Sequence, residues 1–250
     1  MTASALADAA ATFRALHRPG TPVVLPNAWD ANSARIVAEQ GFPAVATSSV
    51  AVAESLGYSD GGGAPPELMF AAAGRIARAV DLPVTVDAEN GYGLPAADLV
   101  AALVSAGAVG ANIEDSTGGV LSDVDTHAAR LAGVREAAVA AGVPLVLNAR
   151  VDVFLRSPGL SEAERVDAAI ARANRYLAAG ADCVYPILCP PTAVARLVNG
   201  IDGPVNVHWR PDGPSPAEFA ALGVARISAG GLLWRMAMDA YRNAVGTLSM

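Results

Sequence analysis

The chain has 250 residues, 53% of them apolar and only 16% charged, with a formal net charge of -7. That length can bury one large core, and the negative balance offers no broad basic surface for nucleic acid or anionic lipid. Charges and prolines interrupt every apolar run before the roughly 18 to 20 residues that a membrane-spanning helix needs, so no membrane is expected as a partner.

In chain order, Met1 to Arg18, with Asp8, Arg14 and His17 spaced through it, reads as an amphipathic helix and not as a signal peptide. Short β-branched runs then alternate with alanine-rich helical stretches. Strands are expected at Val23 to Pro26, Ala44 to Ser48, Val84 to Asp87, Gly110 to Glu114, Leu145 to Ala149, Cys183 to Pro186, Val205 to Val207 and Ala225 to Ser228. Helices are expected near Ala31 to Gln40, Pro66 to Ala79, Pro95 to Ala106, Asp125 to Ala141, Ser161 to Ala179, Thr192 to Val198, Ser215 to Ala221 and Leu232 to Leu248. Gly41, Gly107 and Gly180 supply helix-closing turns ahead of three of the strands. Eight such units predict an α/β fold, a (β/α)₈ TIM-type barrel forming one domain over residues 1–250. A doubly wound sheet would want a Gly-rich loop after its first strand, and Pro26-Asn27-Ala28-Trp29-Asp30 does not supply one. Gly57 to Pro66 reads as a flexible loop, and Ser116 to Asp125 as a lid. Cys183 and Cys189 have no further Cys or adjacent His to complete a zinc site, so reduced thiols and a cytoplasmic setting are expected.

In a parallel barrel, acids that end strands stand where ligands bind. Asp87 ends the third strand and Glu89 follows at i+2, pointing to the same side if the strand still runs extended; Glu114 ends the fourth. Acids so crowded repel one another unless a cation lies among them, which points to a hard oxygen-ligand site for Mg²⁺ or Mn²⁺, one carboxylate direct and others holding waters. The plainer alternative makes Asp87 a cap and Glu89 a solvated charge. Asp115, facing the other way, is expected to anchor the loop. Arg150, at the mouth of the fifth strand, suits a substrate carboxylate or phosphonate bound by paired hydrogen bonds, or an ion pair with Glu114 or Asp152. Ser48, Ser49 and Val50 offer hydroxyls and backbone N–H groups to an oxyanion, unless serine simply caps the next helix. Asp60 is near enough in sequence to fold back over the pocket, and His208 can assist proton transfer or hold substrate, although a lone histidine is more often structural. His127 is a weaker candidate, and no Gly-x-Ser-x-Gly elbow is present.

Taken together these residues resemble the isocitrate lyase and phosphoenolpyruvate mutase superfamily. The resemblance runs from Leu25-Pro26-Asn27-Ala28-Trp29-Asp30 and Ala46-Thr47-Ser48-Ser49 through Asp87-Ala88-Glu89-Asn90-Gly91-Tyr92-Gly93, Asn112-Ile113-Glu114-Asp115 and Asn148-Ala149-Arg150-Val151-Asp152 to Ser228-Ala229-Gly230-Gly231. It implies a barrel enzyme that uses Mg²⁺ to bind an α-oxo carboxylate or its enolate. It also implies Asp87 as metal ligand, Glu89 and Glu114 as water-holding acids, Asp60 as a gating-loop aspartate, Arg150 as the carboxylate arginine and Ser48 to Val50 as the oxyanion cradle. Two departures bear on the reaction. The lyases of this superfamily carry a Lys-Lys-Cys-Gly-His or Lys-Arg-Cys-Gly-His lid and the mutases a lid lysine and asparagine, whereas Ser116-Thr117-Gly118-Gly119-Val120-Leu121-Ser122-Asp123 has none of these; Glu89 also replaces the commoner aspartate. The expectation is therefore a Mg²⁺-dependent lyase cleaving a carbon–carbon bond of a small 2-oxo or 2-hydroxy di- or tricarboxylate through a metal-stabilised enolate, decarboxylating or hydrolytic in type. A phosphonate-active mutase or hydrolase is the second reading, and a noncatalytic metal-dependent dicarboxylate-binding protein the third. The resemblance further implies a homo-oligomer, a dimer or tetramer, with the C-terminal helix from Leu232 exchanged or packed between copies.

Overall fold

Residues 2–248 are described by the structure, a computed structural model; Met1, where the expected first helix begins, lies outside them. The described residues form eight parallel strands: β1 (Val23–Leu25, resuming after Pro26 as Asn27–Ala28), β2 (Val45–Thr47), β3 (Val84–Asp87), β4 (Gly110–Glu114), β5 (Val146–Val151), β6 (Cys183–Pro186), β7 (Asn206–His208) and β8 (Arg226–Ser228). Proline has no N–H to give a ladder, so Pro26 divides β1. Its first half pairs with β8 and its second with β2, and this change of partner helps carry the sheet round. From β2 the ladder runs through β3, β4, β5 and β6. A bridge between Val184 and Val205 joins β6 to the β7 side, and β7 pairs with β8, which closes the barrel.

The predicted order of elements holds throughout. Three of the helices expected from periodicity start on reciprocal capping boxes, formed by Asp30 and Ser33, by Ser161 and Glu164, and by Ser215 and Glu218. Gly41, Gly107 and Gly180 take φ of 78°, 80° and 101°, the left-handed closing conformation. The first helix, Ala3–Ala15, turns Leu6, Ala10 and Phe13 into the core. Phe13 lies against Gly110, the first residue of β4, so this helix covers the amino-terminal end of the barrel.

Three elements have no counterpart in the periodicity: helix Ser49–Ser55, helix Val153–Arg156, and a hairpin, Ser116–Thr117 with Val120–Leu121, within the expected lid. Each is too short to show a repeating apolar pattern. β5 runs further than expected, to Val151, which brings Arg150 into the sheet. The last helix, Leu232–Gly246, has no buried residue. No described helix is long and apolar enough to cross a membrane.

Candidate active site

The carboxyl ends of β3, β4 and β5 bring Asp87, Glu114 and Arg150 into one cluster, and the loops after β2 and β3 add Ser49, Asp60 and Glu89. Asp87 is fixed from two sides: its N–H donates to Thr47 Oγ1 at 2.9 Å, and its Oδ2 accepts the Ser49 N–H at 3.1 Å. Burial raises the pKa of Asp87 against the opposing pull of Arg150 and that hydrogen bond, and Asp60 adds to the rise. Asp60 itself is exposed on the loop, yet its charge reaches both Asp87 and Glu89, so the loop does fold back over the mouth.

Glu89 departs from the sequence expectation. The strand stops at Asp87 and Glu89 adopts φ of 49°, so the two acids are not presented by an extended i, i+2 pair. A tight turn makes the approach instead, with Tyr92 also at positive φ, a backbone strain that clusters at functional sites. Glu89 is buried, its Oε1 has no hydrogen-bond partner among the described residues, and burial followed by repulsion from Asp60 and Asp87 pushes its carboxyl up to about 7.

Arg150 is held by acids. Its Nε and Nη2 donate to Asp152 Oδ1 and Oδ2 at 2.6 and 2.9 Å, and Nη2 also lies 2.5 Å from Glu114 Oε2. Both ion pairs that its sequence position allowed are therefore made, and Asp152 fixes the guanidinium plane. Burial still outweighs Arg150 at Glu114, whose carboxyl is pushed up to about 8. Asp152, with two arginines and Ser116 Oγ at 2.6 Å, is held below the usual range.

Asp115 faces away from the mouth. It accepts from Arg172 Nη1 (3.0 Å), Tyr176 Oη (2.8 Å) and the Asp152 N–H (2.8 Å), while Arg172 also donates to Ser122 O at the far side of the hairpin. This knot anchors the lid base. The hairpin turn itself lies near Arg156: a Cβ on Gly119 would be 3.7 Å from Arg156 Nη1. A cation thus reaches the lid from outside its own sequence.

Ser48 sits at the N-cap of helix Ser49–Ser55 but makes no side-chain capping bond, contrary to the plainer alternative. The Ser49 N–H is spent on Asp87, which removes it from the expected oxyanion cradle. Val50 is pressed against the chain at Gly231, where a Cβ would meet Val50 Cγ1 at 2.4 Å. Asn27 ties these pieces together, donating to Thr47 O at 2.7 Å and accepting the Ala229 N–H at 2.8 Å.

His208 joins the mouth through Tyr185: its Nδ1 lies 3.0 Å from Tyr185 Oη. Burial, then Arg210 and Arg235, lower the imidazole to about 4, so it is neutral at pH 7. Tyr185 is buried, its phenol is pushed up by burial, and it feels the charges of Arg150 and Asp87. It escapes notice in the sequence, although it is the ladder partner of Arg150, one residue before the end of its strand. His127, buried edge-on against Tyr176, lies with the lid anchor.

A parallel barrel with its ionisable groups gathered at the carboxyl ends of its strands defines the class as a barrel enzyme with an acid-lined mouth. The phosphoenolpyruvate phosphomutase family model matches residues 13–249, and the chain belongs to that family, within a superfamily of carbon–carbon lyases and mutases shared with isocitrate lyase. An uncharacterized protein of Mycobacterium tuberculosis (strain ATCC 25618 / H37Rv) is 36% identical over 242 residues, 95% of this chain and 89% of that protein. The crystal structure of a candidate phosphonomutase from Burkholderia cenocepacia J2315 superposes with a TM-score of 0.91 at 45% identity, covering 96% of this chain and 99% of that one. The trigonal crystal form of 2,3-dimethylmalate lyase gives a TM-score of 0.84 at 27% identity, over 96% and 84% of the two chains.

Proposed function

We propose that the chain is a Mg²⁺-dependent lyase that cleaves a carbon–carbon bond of a small 2-oxo or 2-hydroxy di- or tricarboxylate. The observation that carries this reading is the group of three acids, Glu89 buried with an orphaned oxygen and Asp87 and Glu114 partly buried, set beside a guanidinium whose plane is already fixed. Donors that are all carboxylate oxygen, raised in pKa by burial and by one another, fit a hard divalent cation. Among the described residues no three acids converge as a direct ligand shell. In this reading Asp87, fixed from two sides, is the direct ligand and Glu89 and Glu114 hold waters, an arrangement that suits Mg²⁺ because it gives up water reluctantly. Once bound, the ion supplies Lewis-acid stabilisation of negative charge developing on a substrate oxygen.

The remaining work falls to the chain. Arg150 takes a substrate carboxylate, displacing Glu114 from Nη2 while Asp152 keeps the guanidinium in register. Val50 N–H and the Ser48 hydroxyl remain for the oxyanion now that Ser49 N–H is committed elsewhere. Without a lid cysteine, the proton for the departing carbanion comes from water or from the Tyr185 and His208 pair, with the phenol as donor because burial keeps it protonated. This favours decarboxylating or hydrolytic cleavage over isocitrate cleavage. Similarity to 2,3-dimethylmalate lyase supports the same bond class.

The test is a panel of 2-oxo and 2-hydroxy dicarboxylates, with phosphonopyruvate included, incubated with the protein and Mg²⁺ and followed by proton and phosphorus NMR. Release of pyruvate, glyoxylate, oxalate or bicarbonate supports the lyase. Conversion of phosphonopyruvate supports the mutase or hydrolase reading, which Arg156 beside the lid specifically favours. Tight oxalate binding with no turnover leaves the binding protein. Asp87→Ala abolishes oxalate and metal binding under every reading; unchanged affinity would show that the site is misplaced.

We also infer that copies of the chain associate through Leu232–Gly246, because that helix leaves Met236, Tyr241 and Val245 exposed and its Leu233 lines a largely apolar cavity of about 490 Å³ together with Val24, Phe42 and Trp209. Light scattering of the intact chain tests this, a monomer refuting it.

A further inference from the structure

Beneath the acids, the barrel axis carries a second polar layer that the proposed chemistry does not use. Asn112, Asn148, Asn206 and Arg226 are all buried, Arg226 completely. Their placement follows from register: Asn112 is the ladder partner of Asp87 on one side and of Asn148 on the other, and Asn206 is the partner of Arg226. Asn148 Nδ2 and Arg226 Nη2 converge on Asn112 Oδ1, at 2.9 and 3.1 Å. The Phe13 ring lies on the other side, its centroid 5.9 Å from Arg226 Cζ.

Arg226 Nε and Nη1 have no hydrogen-bond partner among the described residues, and neither do Asn148 Oδ1 and Thr85 Oγ1. A guanidinium removed from water and held by one neutral oxygen is costly, and burial accordingly lowers its pKa. Asp182, at the base of the barrel, is engaged by Arg14 and Arg135 and by the Leu147 N–H. The carboxylate that acts on the charge of Arg226 is Asp87. With the exposed Asp60 and Arg156 both set aside, Asp87, Glu89, Glu114 and Asp152 against Arg150 leave three negative charges when ionised; Arg226 reduces them to two, which a divalent cation neutralises.

We infer that Arg226 is a positioning residue, a buried axial cation under the mouth that offsets the acids, holds down their affinity for Mg²⁺ and raises the affinity of the loaded site for a dianionic substrate. The Mg²⁺ half of this inference rests on the metal reading above. A residue that merely supported the fold would, when replaced, weaken both kinds of binding together. A charge acting through a low-dielectric barrel moves them in opposite directions.

The test is isothermal titration of Mg²⁺, and then of oxalate at saturating Mg²⁺, into the intact chain and three variants. Arg226→Met is expected to bind Mg²⁺ about fivefold or more tightly and oxalate about fivefold or more weakly, for one unit charge removed at low effective dielectric. Arg226→Lys keeps the charge and stays within about twofold on both. Cys183→Asp places an acid at a fully buried position within electrostatic reach of Arg226, offsets the guanidinium without removing it and is expected to shift both affinities as Arg226→Met does. Folded Arg226→Met with both affinities unchanged, or both weakened, overturns the inference; should that variant not fold, Cys183→Asp decides by the same criteria. A wild-type chain that binds no Mg²⁺ overturns the metal reading instead, and oxalate affinity alone then tests Arg226.

Discussion

Lowering the pH from 7 to 5 should destabilise the barrel through His17, by an amount that its surroundings set. His17 follows the helix that covers the amino-terminal end, its Nδ1–H donating to Phe13 O at 2.9 Å and its ring edge-on to Phe13 at 4.8 Å. Nε2 is buried with no partner among the described residues. Protonation there would place a second cation near Arg226, and burial, then Arg226, lowers the imidazole from 6.5 to about 4. The sign follows directly. A histidine with a depressed folded pKa binds more protons in the unfolded chain, so its contribution is intact above pH 6.5 and is lost as pH falls from there to about 4. Two and a half pKa steps correspond to about 3 kcal/mol when fully expressed, of which about 2 kcal/mol is lost by pH 5 and only about 0.2 kcal/mol by pH 7. The raised carboxylates at the mouth act with the opposite sign over the same range, so the total slope is not diagnostic. Urea unfolding of the metal-free wild type and of His17→Leu at pH 7 and 5 isolates the term: the variant should lose about 2 kcal/mol less between the two pH values. A difference below about 0.5 kcal/mol would mean that His17 does not carry this linkage.

Three other outcomes follow from contacts at the mouth and its anchor. Arg172→Met leaves Asp115 buried with its cation gone, and should cost about 3 kcal/mol in chemical denaturation and expose the hairpin to limited proteolysis; an unchanged proteolytic pattern would remove Arg172 from the lid anchor. Gly91→Ala demands a side chain at φ of 85° with its Cβ 2.2 Å from Arg130 Nη2 and 2.9 Å from Leu99 Cδ2, and should lower stability by about 2 kcal/mol or more. Gly93→Ala, at φ of 69° with nothing within 4 Å, is the matched control and should cost about 1 kcal/mol, so equal melting temperatures for the two would refute the steric argument. Glu89→Gln removes a buried charge with an orphaned oxygen, and should stabilise the metal-free chain by about 1 kcal/mol or more while weakening Mg²⁺ binding; loss of both would mark Glu89 as a structural acid.

The barrel was legible because its strands are largely buried and read as short, mostly apolar runs, with glycine closing helices between them. What periodicity could not show were elements of one or two turns, Ser49–Ser55 and Val153–Arg156, whose conformation is set by neighbours. Short as they are, these elements have consequences, since one of them places Arg156 beside the lid. Pro26 looked like the end of the first strand and proved to be the point where that strand changes partners.

At the mouth, a carboxylate at the end of a strand is visible by position, and Asp87, Glu114 and Arg150 were found that way. The turn that delivers Glu89 was not, because an extended strand predicts the same neighbours by a different route. Tyr185 and Arg226 went unremarked for a stricter reason. Each belongs to a strand of ordinary composition, and its meaning depends on the residue one ladder step away, Arg150 for the first and Asn206 for the second. Inward direction alternates along a strand, but which layer a residue joins is fixed only when register joins the strands. A lone arginine in a β-run has the same appearance whether it snorkels outward or lies on the axis with two unpaired nitrogens. The missing half of the site's charge balance therefore lay in register, and the acids at the mouth are better understood as one end of a polar column that begins at Phe13.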